Sequence, residues 1–118
     1  MLITWIQRHW ALLTALLLVL ISVLSLSPAS QLPAVPGTDK THHFIAYAAC
    51  VFPLALRRPR YWLWLALAII GWSGAIELIQ PYVNRYGEWL DLAANSLGVL
   101  IGVILASLCR LWPGKTPL

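Results

Sequence analysis

The residues able to do chemistry are few, and they gather in three short stretches. In Asp39-Lys40-Thr41-His42-His43-Phe44-Ile45-Ala46-Tyr47, positions 39, 43 and 47 fall four apart and share one face of a helix. Glu77 and Gln80 are three apart, again one face. Asp91, Asn95, Gly98 and Gly102 form a third stripe. His43, Glu77 and Asp91 are candidate general bases. Lys40 and Arg85 are cations suited to a phosphate, which an arginine can bind through two parallel hydrogen bonds. Gln80 and Asn95 can orient these groups or hydrogen-bond a head group. Each residue also has a plainer role open to it. Asp39 can cap a helix, Tyr47 can pack, and Asn95 with Gly98 and Gly102 can fasten helices together.

The elements that must position these residues are apolar. Residues of the A, V, I, L, M, F, W, Y, C set make up 60% of the 118 residues and charged residues 10%. Soluble domains run at about 45–50% and about 25%. That excludes an ordinary soluble domain and a disordered chain and leaves an integral membrane protein of one domain, residues 1–118. Four intervals carry no Asp, Glu, Lys or Arg: His9–Thr38, Thr41–Leu56, Tyr61–Ile76 and Leu92–Cys109. They predict an all-α bundle of four transmembrane helices at about 10–26, 41–56, 61–80 and 89–109. Ser27–Thr38, with three prolines and one glycine, reads as an extended loop. A cleaved signal peptide is the rival for the first span, though its apolar run is long for one.

The basic residues set the orientation. Four spans place Arg8, Arg57, Arg58, Arg60, Arg110 and Lys115 on one side and only Lys40 and Arg85 on the other. The excess marks the cytoplasmic side, so both termini are expected there, in a multi-pass protein of the cell's inner (plasma) membrane. All four acids then lie at the outer face. The arginines at 57, 58 and 60 read as a topology determinant touching anionic lipid. The net charge of +4 is thereby explained without nucleic acid as a partner. Cys50 and Cys109 read as small apolar residues. A metal site from His42, His43, Glu77 and Asp91 is not expected, because adjacent histidines point apart on a helix, and no cofactor is expected either.

This topology brings the start of the second span, the end of the third and the start of the fourth to one level near the outer surface. The ordered set Asp39-Lys40-x-x-His43-x-x-x-Tyr47, then Glu77-x-x-Gln80, Arg85, Asp91-x-x-x-Asn95-x-x-Gly98, resembles the VanZ-like family of small bacterial membrane proteins. The resemblance covers about residues 27–106. The family's namesake is associated with low-level resistance to the glycopeptide teicoplanin. The family has also been placed in a wider group of membrane enzymes acting on lipid head groups. By that resemblance, Asp39, Lys40, His43, Tyr47, Glu77, Gln80, Arg85, Asp91 and Asn95 make up an active site.

Two functions fit these residues. The first is an enzyme that transfers or hydrolyses a phosphoester on a membrane lipid or lipid-linked envelope precursor. Here His43, Glu77 and Asp91 are catalytic, and Asp39, Lys40, Tyr47, Gln80, Arg85 and Asn95 bind substrate. The alternative is a non-catalytic module that binds the same head group or holds helices for a partner. A proton-linked transporter fits less well, since four short spans leave little room for alternating access.

Overall fold

A computed structural model describes residues 2–27, 39–83 and 89–111. The described residues form helices α1 (Leu2–Arg8), α2 (Trp10–Leu26), α3 (Asp39–Arg57), α4 (Trp62–Ile79) and α5 (Trp89–Leu111), with a 3-10 turn at Gln80–Val83. Arg85, Glu88 and the proline-rich stretch 28–38 lie outside the described residues. So does the side chain of Asp39.

The all-helical expectation is met among the described residues. The stretch Trp62–Tyr82 and helix α5 are each long and apolar enough to cross a membrane. α1 and α2, which meet at a bend of 77°, supply a third span if the bent pair counts as one. Large apolar side chains point outward along these helices: Leu12, Leu16 and Val23 on α2, Leu63, Trp64 and Leu67 on α4, Leu100 and Leu108 on α5. Patches that extensive on a soluble monomer are rare, and here they fit a hydrocarbon solvent. These helices are those of a membrane protein.

Helix α3 is built differently. It carries Asp39, Lys40 and Arg57 and is not apolar enough to count as a span by composition. Yet Tyr47, Cys50, Val51, Leu54, Ala55 and Leu56 are almost wholly buried. α3 is the central helix, packed most extensively against α5 and then α2, with α1 and α4 completing its surround. Its low hydropathy comes from the charged residues and histidines near its ends, while its apolar middle is buried in protein.

The buried side of the first two helices repeats by sevens. Gln7, Thr14 and Ile21, with Ser25 four further on, are the buried residues of this segment. Thr14 Oγ1 donates to the Cys50 carbonyl at 2.9 Å, in the turn that Pro53 disturbs. Side-chain hydroxyls commonly satisfy backbone near a proline in a membrane helix. Trp72 Nε1 donates to Ser22 Oγ at 2.8 Å and ties α4 to α2.

The C-terminal end of α3 is closed by side chains from three elements. Arg58 takes φ 55, the left-handed conformation that ends many helices, and its N–H bonds Leu54 O at 2.9 Å. Its Nε donates to Ala55 O at 3.3 Å, and its guanidinium reaches Ser107 Oγ and covers the Trp62 ring. Leu56 O receives Gln7 Nε2 at 2.8 Å and Arg110 Nη1 at 2.7 Å. Cations here also suit the negative end of the helix dipole. Arg58 is therefore a helix cap held against protein, which narrows the lipid-facing reading to Arg57 and Arg60.

Candidate functional site

Helices α3 and α5 run in the same direction and in close register. Lys40 Nζ lies 3.6 Å from Asp91 Oδ1, and His43 Nδ1 is 2.9 Å from Asn95 Oδ1. One turn further, a Cβ at Gly98 would overlap the Phe44 carbonyl. A Cβ at Gly102 would run into Val51 and come within 2.6 Å of Ala48 O. Any larger residue at either position would push the helices apart, so the two glycines set how near the backbones come. That separation lets the short side chains of Asp91 and Asn95 reach α3. The polar stripe and the glycine stripe on α5 are one continuous face.

α4 delivers its last turn to the same level. One ring nitrogen of His43 and one carboxylate oxygen each of Glu77 and Asp91 lie within 4.8 Å of one another. Three helices thus contribute one ionisable group apiece. Glu77 is 8% exposed and Asp91 4%, while His43 is partly exposed. Asp91 Oδ1 has no hydrogen-bond partner among the described residues, and Lys40 neutralises it across the longer ion-pair distance. With Asn95 Oδ1 accepting, His43 carries its hydrogen on Nδ1, which leaves Nε2 for a proton or a Lewis acid.

The remaining candidates divide. Asn95, 1% exposed, holds His43. Tyr47, also 1% exposed, sits one turn below His43 in the apolar core with Ile21, Val51 and Leu54. Gln80 is fully buried and donates from Nε2 to Ser25 O at 3.0 Å, which joins the end of α4 to the last turn of α2. Lys40 is the cation the site contains among the described residues. The expected partner Arg85 and the carboxylate of Asp39 fall outside them. The direct pairing of His43 with Asn95 was not foreseen from sequence, although their common level was.

A separate groove of about 330 Å³ runs between α1, α2 and α3, from Leu2 to Pro53. Its walls are apolar, and none of the cluster residues lines it.

With this geometry in place, comparison with known families is decisive. Residues 2–110 match the VanZ/LLP1 family model. The chain belongs to the VanZ/LLP1 family. The match extends beyond the motif region at 27–106 to take in α1 and α2, so the bent N-terminal pair is part of the VanZ/LLP1 domain. No curated protein and no solved structure matches the chain.

Proposed function

We propose that this protein acts on the phosphate head group of a membrane lipid or lipid-linked envelope precursor, at a polar pocket on the outer face of the inner membrane. In this reading the helices α2 to α5 form four spans with both termini in the cytoplasm. The arginine-rich pole supports that orientation: Arg8, Arg57, Arg58, Arg60 and Arg110 belong to the end of the bundle opposite the cluster. His43 or Glu77 takes a proton from the attacking hydroxyl, and Lys40 with Arg85 offsets phosphate charge. Asp91 holds Lys40 in place. The observation that carries the reading is the convergence of His43, Glu77 and Asp91 from three helices within 4.8 Å, in a bundle with an apolar exterior. Ionisable groups inside membrane domains are costly and by default functional.

A second reading has its own support. The His43–Asn95 hydrogen bond and the glycine contacts join the same two helices, so the polar face also fastens α3 to α5. A non-catalytic module binding a lipid or cell-wall precursor needs no more than that. The experiment offers the protein in nanodiscs both phospholipids and undecaprenyl-linked phosphates, with products read by mass spectrometry. Turnover that is lost in Glu77→Gln and His43→Ala, with the fold kept, establishes the enzyme. Tight lipid binding without product establishes the module. If both substitutions only lower the melting temperature, the cluster is a fastener.

A further inference from the structure

We propose that His43, Glu77 and Asp91 form a binding site for one divalent transition-metal ion, of the Zn²⁺ or Mn²⁺ class. The three side chains each come from a different helix and each offer one ligand atom, all within 4.8 Å of one another. Metal–ligand bonds of about 2.0–2.2 Å place neighbouring ligands roughly 3–4 Å apart. Loading therefore asks the three to draw in slightly, a movement within the reach of side-chain rotation.

Charge supplies an independent argument. Two of the three ligands are buried carboxylates, and Lys40 Nζ stands 3.6 Å from one of them, Asp91. Carboxylates in buried surroundings favour a cation beside them. Asp91 Oδ1 is buried and accepts no hydrogen bond from a described residue. A divalent ion would give that oxygen a partner. Asn95 adds the support that metal-binding histidines ordinarily have: it engages Nδ1 at 2.9 Å and fixes the ring, so a metal would bind through Nε2. Adjacency of His42 and His43 argued against a metal site from sequence, but this site uses His43 alone.

The donor set selects the ion. An imidazole with two carboxylates and no thiolate suits Zn²⁺ or Mn²⁺ better than Mg²⁺ or Ca²⁺, which favour all-oxygen shells. Three protein ligands leave coordination positions open. The metal site stands on the three side chains alone. Only its use as an anchor for a phosphate oxygen rests on the lipid head-group reading above. Lys40 is then a resident competitor, since its ammonium occupies the charge position that the ion would take over.

The test uses the full chain in nanodiscs, purified on a tag without histidine and stripped with chelator. Equilibrium dialysis against Zn²⁺ and, separately, Mn²⁺ is read by elemental mass spectrometry. The wild type should take up about one ion per chain. Glu77→Gln and Asp91→Asn, which keep side-chain shape, should weaken binding more than tenfold, and His42→Ala should leave it unchanged. Asn95→Ala should weaken it roughly tenfold, as loss of an outer-shell partner does. Lys40→Met should tighten it. Uptake by the wild type no greater than by Asp91→Asn overturns the proposal. If the carboxylate variants do not fold, Co²⁺ serves as a visible probe of the wild type: ligand-field bands abolished by excess Zn²⁺ support the site, and their absence overturns it. Lipid turnover that persists in chelator sinks the use of the metal as a phosphate anchor and spares both the enzyme and the binding site. Metal uptake without turnover does the reverse.

Discussion

The two ends of α3 solve opposite problems with similar side chains. At its C-terminal end, cations and an amide are spent on backbone carbonyls, and Leu54 O, Ala55 O and Leu56 O each receive a donor. At its N-terminal end, charged groups face one another instead, and an Asp91 oxygen is left without a hydrogen bond among the described residues. The first arrangement satisfies those carbonyls, although Gln7 Oε1 accepts no hydrogen bond among the described residues. The second gathers two buried carboxylates and an imidazole with a nitrogen to spare. Each end leaves a buried oxygen without a hydrogen bond among the described residues, so what marks the N-terminal end as a site is the convergence of ionisable groups from three helices.

This contrast can be broken most forcefully between the two ends. Gly102→Leu drives a side chain into Ala48 and Val51 and separates α3 from α5. We expect a loss of about 3 kcal/mol or more, seen as a large drop in melting temperature in detergent. An unchanged midpoint would mean the helices are not so close. Next, Arg110→Ala removes one of two donors to Leu56 O. It should cost about 2 kcal/mol, since the bond is charge-assisted, and leave head-group binding intact.

Glu77→Gln should behave in the reverse way. Turnover should fall about 100-fold, the scale of general acid–base contributions. The melting point should hold, because the amide keeps the shape of the side chain. Destabilisation comparable to Arg110→Ala would erase the distinction between the two ends. The smallest effect concerns the positive φ of Arg58. Arg58→Gly and Arg58→Ala lose the same guanidinium contacts, but alanine also keeps the backbone strain. The glycine variant should be the more stable by about 0.5–1 kcal/mol in denaturant or thermal unfolding.

Much of the fold was legible because charge interrupts hydropathy sharply. The first span, read as 10–26, coincides with α2, and the last, read as 89–109, with most of α5. Helix α3 was placed too late, at 41, because a charge-free criterion discards Asp39 and Lys40, which form its first turn. Helix α1 was missed for a similar reason, since it ends on Arg8 and is set off by the bend at His9. In the site, the stripes on α3, α4 and α5 announced which residues would share a level. The pairings did not follow from them. Whether Lys40 meets Asp91 and His43 meets Asn95 depends on the register of α3 against α5, which backbone contact at Gly98 and Gly102 sets and no local pattern encodes. The cap on α3 was hidden as well, because Gln7, Arg58 and Arg110 are far apart in sequence and resemble ordinary flanking residues.

The parallel pairing of α3 with α5 also imposes an order on biogenesis. His43 and Asn95 are separated by 52 positions. At about 5–20 residues per second of translation, α3 waits roughly 3–10 s for the helix that satisfies it. During that interval its least hydrophobic face has no permanent neighbour. A nascent chain arrested before Trp89 would expose that face to the insertion machinery and to membrane proteases. The arrival of the final helix is therefore the step at which the His43–Asn95 pair can close.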